Sequence, residues 1–327
     1  MSELEFRKAI RDALDEEIER DPAVVFFGED VAAAGGVFMT TPGLQEKHGP
    51  DRVFDTPISE LAMAGAAFGA AVTGLRPVIE IMFGDFMALP MDSLVNQSAK
   101  FWYVSNEQAS VPLVVRSAVG AGGRFGAMHS QIHGTWLQSV PGIKIVGPSN
   151  PADAKGLLKS AIRDDNPVIF LEHKRLYSMK GPQPTEETVP LGKAAVARQG
   201  GDITIVSALR GVRDSLQAAE ELAGDGIDAE VVDIRSLRPL DFETVLESVA
   251  KTNRVMFLEE GTRVGGWAAN LLGIVTAEGL HDLDDAWIVA TEDTPAPYSP
   301  TLEDAWLPAA REVAAAVRER LGVAAAH

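Results

Sequence analysis

A carboxylate stands at the start of a helix in Asp55-Thr-Pro-Ile-Ser-Glu60-Leu-Ala-Met-Ala-Gly-Ala-Ala-Phe-Gly69. Glu60 falls in the first turn. A glutamate there either closes a capping box and complements the helix dipole, or stays ionised and accepts a short hydrogen bond from a ligand ring nitrogen. Ala62, Gly65, Ala66, Gly69 and Ala70 give that helix a small-residue face, against which something is expected to pack closely. Glu29 is a second carboxylate, leaving the apolar run Ala23-Val-Val-Phe-Phe27 toward Ala32-Ala-Ala-Gly-Gly36. Ligands of open α/β sheets gather at the carboxyl ends of strands, so Glu29 is either a site acid or an ordinary solvated loop acid. The third group is His129 in Met128-His-Ser-Gln-Ile-His133, inside a stretch from Phe125 to Ile143 without Asp, Glu, Lys or Arg. Imidazole titrates near neutral pH, so His129 can act as a general acid or base; a plain core or surface histidine is the alternative. His129 and His133 lie four residues apart but lack a nearby acidic third ligand, which argues against a metal pair.

Alternating helices and strands must position these groups. Leu4, Ile10, Leu14 and Ile18 predict an amphipathic helix over 3–20, ended by Asp21-Pro22, with a strand buried on both faces over 23–27. Apolar runs at 76–81, 111–116, 143–147 and 167–171 alternate with helix-like segments at 59–74, 86–104 and 151–164. Asn150 is placed to cap the last of these, with Pro151 at its first helical position. From Ser178 to Gly192 periodicity lapses in a proline-rich stretch. Strands are then expected over 203–207, 229–234, 254–258 and 287–290, with helices near 211–224, 241–251, 265–279 and 308–321. The fold class is α/β, with two three-layer α/β/α domains at 1–180 and 193–327 joined by a linker at 181–192.

Two glycine motifs are decoys. Gly120-Ala-Gly-Gly-Arg-Phe-Gly126 has Phe125 where a dinucleotide fingerprint needs its third glycine, and no clear helix opens after it. Gly224-Asp225-Gly226 with Asn253 loosely matches the motif by which thiamine-diphosphate enzymes hold magnesium diphosphate. It nevertheless links a helix to a strand, where Gly226 is the expected breaker.

Composition excludes other classes. The 327 residues carry 47 acidic and 29 basic side chains, a net charge of −18, which argues against nucleic acid or an anionic membrane surface as partner. Cysteine is absent, removing disulfides, thiolate metal sites and cysteine nucleophiles. The longest strongly apolar uncharged run, Leu61 to Leu75, is too short for a transmembrane helix, and the acidic N-terminus has no signal core. A bacterial cytoplasmic location is expected.

Gly28-Glu-Asp-Val31, Asp55-Thr-Pro-Ile-Ser-Glu60, Asp92 to Asn96 with Ala99-Lys100, His129-Ser-Gln131, Pro141-Gly-Ile-Lys-Ile-Val146, Asp153-Ala-Lys-Gly-Leu157, Asp164-Asp-Asn-Pro167, Arg235-Ser-Leu-Arg-Pro239 and Leu302-Glu-Asp304 occur in one order over nearly the whole chain. Each motif is weak alone; the ordered set is specific. The chain resembles the β subunit of the E1 component of thiamine-diphosphate-dependent 2-oxo acid dehydrogenase complexes, of pyruvate, branched-chain and acetoin types. That resemblance implies a pyrimidine-binding domain, a transketolase C-terminal-like domain, and an α2β2 enzyme that oxidatively decarboxylates a 2-oxo acid, or cleaves acetoin, and passes the acyl group to lipoyl-E2. Its α subunit would hold most of the magnesium diphosphate.

The resemblance further implies that Glu60 binds the aminopyrimidine ring nitrogen and promotes the tautomer that deprotonates the thiazolium. Phe86 would lie against the aminopyrimidine, with Glu29, Ile58 and Met82 lining the pocket. His129 would face substrate and lipoyl group and assist proton transfer in reductive acylation. Leu113, Ala161, Ile162, Asp164 and Asn166 match a potassium site made mostly of backbone oxygens. One departure is Ser139-Val140, where many members carry a second histidine before Pro-Gly; His133 is the residue that would compensate. The rival readings are a transketolase-like ketol transferase subunit and a non-catalytic scaffold.

Overall fold

In a computed structural model that describes residues 3–323, the chain forms two compact units dividing between Leu191 and Gly192, with residues 124–127 grouped with the second. The first unit contains α1 (Phe6–Arg20), β1 (Val24–Gly28), β2 (Val53–Asp55), α2 (Glu60–Val72), β3 (Arg76–Phe83), β4 (Val114–Val119), β5 (Lys144–Val146), α3 (Pro151–Arg163) and β6 (Val168–His173). Six of its strands run parallel in the order β5-β6-β4-β3-β1-β2, and the short pair Leu4–Glu5 and Lys180–Gly181 is antiparallel. Alternation along each strand divides two faces. Val24, Phe26, Val78, Val114 and Phe170 join Ile10 and Leu14 of α1 and Leu157 of α3 in one core. Val25 and Phe27 point the other way, where they share a cavity with Ala62 and Met63 of α2. Helices thus cover the sheet on both sides.

Local chemistry explains the boundaries. Asn150 Oδ1 accepts from the Asp153 amide at 3.0 Å, and Pro151 occupies the first helical position, as expected. The helix expected over 86–104 is instead a 3-10 turn at Gly84–Ala88, a π-helix at Asp92–Ser98 and a short α-helical turn at Phe101–Val104. Pro90 supplies no backbone donor, and the Asp92 carboxylate accepts from Asn96 Nδ2 at 2.7 Å and Gln97 Nε2 at 2.9 Å, favouring the wider turn. Residues 182–191 carry no regular structure and run along α3, where Ser160 Oγ donates to the Val189 carbonyl at 2.5 Å.

Beneath the sheet lies a charge cluster that periodicity could not foretell. Arg116 of β4 donates to both Glu172 oxygens of β6, at 2.7 and 2.9 Å, and to Glu80 of β3 at 2.7 Å. Tyr177 completes it by donating to Glu172 at 3.0 Å. All four side chains are buried. Burial raises the Glu80 carboxyl above its ordinary range, with Arg116 pulling against it.

The second unit contains β7 (Ala195–Arg198), β8 (Ile203–Ser207), α4 (Arg210–Gly224), β9 (Ala229–Asp233), α5 (Phe242–Thr252), β10 (Arg254–Thr262), α6 (Trp267–Glu278), β11 (Asp285–Thr291) and α7 (Ala310–Leu321). Strand order is β11-β10-β8-β9-β7, parallel except for β7. Ile203 and Ile205 face a core with α4 and α7, whereas Thr204 bonds Ser248 and Thr252 of α5 at 2.7 Å each, so this unit is also three-layered. The Gly224-Asp225-Gly226 segment is a turn: Gly226 has φ +80°, and Asp225 is paired with Arg318 of α7 at 2.7 Å.

Glu259, on β10, accepts from the Trp267 and Ala268 amides of α6 at 3.0 and 2.9 Å. Burial pushes its carboxyl up to about 7, against the lowering effect of the Ala268 and Trp267 amides. A raised native pKa means the folded state holds this proton more tightly. The group's contribution is therefore full below the ordinary glutamate range and is lost as pH rises toward and through 7. The melting temperature of the wild type should fall, relative to that of Glu259→Gln, between about pH 5 and pH 8. Parallel melting curves across that range would refute the assignment.

Candidate active site

Parallel pairing sets Gly28 beside both Asp55 and Glu80, so Glu29, the Thr56–Glu60 segment and the end of β3 leave the sheet side by side at its carboxyl edge. The Thr56 amide donates to the Gly28 carbonyl at 2.8 Å, and the Ala32 amide to Asp55 Oδ1 at 2.8 Å, fixing both exits. Glu60 opens α2 and is buried, but no side-chain cap forms at Ser59, so the capping-box alternative is not what the structure contains. Glu29 is buried as well, and its Oε1 has no hydrogen-bond partner. Burial raises the Glu29 carboxyl, and the nearby charges of Glu60 and Asp30 raise it further. Two carboxylates therefore share one corner, one of them with an unsatisfied oxygen.

Aromatic and imidazole rings form the adjoining cluster. Phe83 ends β3 and Phe86 sits on the following 3-10 turn; their ring centroids are 5.8 Å apart, nearly perpendicular. The His129 ring stands edge-on to both, 4.5 Å from Phe83 and 5.3 Å from Phe86. Met82 and His129 are half-buried, while Ile58 is 83% exposed. His129 reaches this place on the loop after β4. That loop departs through Gly120 at φ +86°, where a Cβ would lie 2.1 Å from His173 Nε2. Only glycine meets both conditions. Phe83, Lys174 and Asp85 belong to the cluster although sequence reasoning did not single them out. The signal for Phe83 was its place at a strand end, three residues before Phe86.

His133 is buried and stacks on Trp136 at 3.9 Å, with its Nε2 3.8 Å from Asp85 Oδ1. Burial lowers its pKa, with Asp85 opposing. Ser139 is exposed. Among the described residues no group of three or more His, Cys, Asp or Glu side chains could hold a metal.

The five expected potassium positions meet near one turn at the amino edge of the sheet. Arg76 donates to the Ile162 carbonyl at 2.9 Å and to the Asp164 carbonyl at 2.6 Å. The Leu113 carbonyl accepts from the Val168 amide at 2.8 Å, and the Ala161 carbonyl from the Asp164 amide at 3.3 Å. Burial works to raise the Asp164 carboxyl, but Lys144 and Asn166 hold it below its ordinary range.

The small-residue face of α2 is open within this chain. Ala62 and Ala66 are exposed, and a Cβ on Gly69 would meet nothing within 4 Å. The expected close packing is not supplied by the chain itself. Beside that face, Val25, Phe27, Phe54 and Leu75 help line an apolar cavity of about 450 Å³. Trp102, Tyr103 and Val104 are exposed. No described helix is long and apolar enough to cross a membrane.

Comparison with known proteins places this architecture. Residues 2–180 match the transketolase pyrimidine-binding domain, and residues 192–313 the transketolase C-terminal domain. The β subunit of acetoin:2,6-dichlorophenolindophenol oxidoreductase from Cupriavidus necator is 44% identical, covering 97% of each chain. The 2-oxoisovalerate dehydrogenase β subunit of Bacillus subtilis is also 44% identical, covering 98% of this chain and 99% of its own. The mitochondrial pyruvate dehydrogenase E1 β subunit of Caenorhabditis elegans is 44% identical over 99% of this chain and 94% of its own. Among solved structures, a split-gene transketolase described as an inactive β4 tetramer superposes with a TM-score of 0.81 at 25% identity, over 98% and 99% of the two chains. The chain belongs to the family of E1 β subunits of 2-oxo acid and acetoin dehydrogenases, built from transketolase-type pyrimidine-binding and C-terminal domains.

Proposed function

We propose that this chain is the β subunit of a cytoplasmic α2β2 E1 enzyme that cleaves a 2-oxo acid or acetoin with thiamine diphosphate and delivers the acyl group to lipoyllysine on E2. The observation that carries this reading is the buried Glu29–Glu60 corner, whose orphaned Glu29 Oε1 lies at the carboxyl edge of a parallel sheet. A buried oxygen without a partner costs about 1–3 kcal/mol, which a polar ligand removes by donating to it. The residues present fit an aminopyrimidine. Glu60 would hold its ring nitrogen, Phe86 would lie against the ring, and Ile58 and Met82 would wall it. The bound cofactor supplies the electron sink for carbon–carbon cleavage. The chain's part is to orient that ring, present the Glu60 carboxyl to it from a helix start, and bring His129 to the acyl group as a proton donor or acceptor.

Magnesium and diphosphate are assigned to an α subunit, because Asp225 of the Gly-Asp-Gly segment is committed to Arg318. The open face of α2 and the exposed Trp102–Val104 turn support such a partner. A potassium ion is assigned to the oxygens of Leu113, Ala161, Ile162, Asp164 and Asn166, a donor set suited to a hard cation. The domains are assigned to 1–180 and 193–327, with 181–192 between them.

The test is purification of the tagged chain from its own host, identification of what co-elutes, and assay on pyruvate, branched-chain 2-oxo acids and acetoin with dye or lipoyl-E2 as acceptor. A co-eluting subunit with a true Gly-Asp-Gly and Asn motif, and activity on one of these substrates, supports the reading. Ketol transfer between sugars without lipoyl acceptance, or a lone inactive assembly that binds no thiamine diphosphate, overturns it.

A further inference from the structure

His129 rides on backbone that no sheet or long helix holds. Residues 126–133 have no regular structure, and two of the ties at Gln131 are long: its amide donates to Asp85 Oδ1 at 3.4 Å, and its carbonyl accepts from the Gly120 amide at 3.4 Å. A charge-assisted tie comes from Lys174, whose ammonium donates to the carbonyl of His129 itself. The same ammonium lies over the Phe83 ring, 5.3 Å from its centroid, and Phe83 is the ring against which the His129 imidazole stands at 4.5 Å. One cation therefore grips the residue at its backbone and braces the aromatic wall beside its side chain. Lys174 is itself aimed by rigid structure. It follows β6 directly and opens a 3-10 turn, where His173 Nδ1 accepts from the Arg175 amide at 3.1 Å. Lys174 is only 8% exposed. Holding an ammonium out of water costs several kcal/mol, and solvent-facing lysines incur no such cost.

We propose that Lys174 is the positioning residue for His129, fixing the imidazole where the acyl group passes to the lipoyl acceptor. This rests on the acyl-transfer reading of His129 given above. A charge-assisted bond to a carbonyl, together with a cation over a ring, constrains both ends of the histidine; neither act requires Lys174 to touch substrate. Displacement of a reacting group by about 1 Å can cost 10²-fold in rate.

The test uses the assembled α2β2 enzyme with thiamine diphosphate and magnesium, comparing acyl transfer to lipoyl-E2 with reduction of dichlorophenolindophenol. Lys174→Met should lower the ratio of transfer to dye reduction at least tenfold, and Lys174→Arg should restore it to within about threefold. Combined with His129→Ala, Lys174→Met should add nothing to the loss of His129→Ala alone, because a positioning residue has no effect once its target is gone. General misfolding would instead lower both activities together and multiply with His129→Ala. Lys174→Gln, which keeps a donor without the charge, carries the same comparison if Lys174→Met does not fold. Additive losses beside an impaired His129→Ala enzyme overturn the Lys174 assignment alone. A His129→Ala enzyme with a normal ratio overturns the reading of His129, and with it the proposal.

Discussion

Glu60→Gln in the assembled enzyme should lower turnover by roughly 10²–10⁴-fold while the melting temperature and the co-purifying subunit stay as in the wild type. Glutamine keeps the shape of the side chain at the start of α2 but cannot be an anion, so the loss isolates the charge. The same change removes one of the charges that raise Glu29, so the Glu29 carboxyl should titrate lower in the variant. Steady-state assays and a melt on one preparation measure both. A turnover within threefold of wild type would sink the assignment of Glu60, whatever the stability.

The largest effect on stability is expected at Arg116. Replacing it with methionine leaves Glu80 and Glu172 facing each other in the first unit without their guanidinium. Breaking a buried ion network from one side costs about 3–5 kcal/mol, a large share of a total stability of about 5–15 kcal/mol. Arg116→Met should therefore accumulate poorly in soluble form. Arg116→Met combined with Glu80→Leu and Glu172→Leu should recover much of the loss, since an apolar replacement leaves no buried charge. Soluble yield and the urea midpoint decide the matter; a single variant as stable as the wild type would show that the cluster contributes nothing.

Much of the frame was legible because patterns of period two and 3.6 are imposed by burial. The strand at 203–207 and the Asn150–Pro151 start of α3 follow from local residues alone. The stretch 86–104 was not legible, because its apolar spacing suits a helix while Pro90 and the Asp92 side chain divert the backbone. Glu60 could be suspected from its position. What makes it unusual, a buried neighbour in Glu29, depends on strands joined across 27 residues between Gly28 and Asp55, which no local pattern contains. Lys174 was hidden for the same reason, being 45 residues from the carbonyl it holds. The small residues of α2 signal a close contact without saying whose, and within this chain Ala62 and Ala66 stay exposed.

The parallel order of the first sheet has a further consequence, for the route by which the chain acquires its structure. Neighbouring strands come from positions separated by 24 residues, between Lys144 and Val168, up to 54, between Val114 and Val168. Loops of that length must close before any ladder bond forms, and such topologies gain structure slowly compared with helical bundles. The pairing of β4 with β6 joins Arg116 to Glu172, so those charges find each other only when the longest of these loops has closed. Until then the apolar strands of the first unit are unpaired, and a chain in that state is prone to aggregate, so slow closure adds a kinetic hazard to whatever stability the finished fold has.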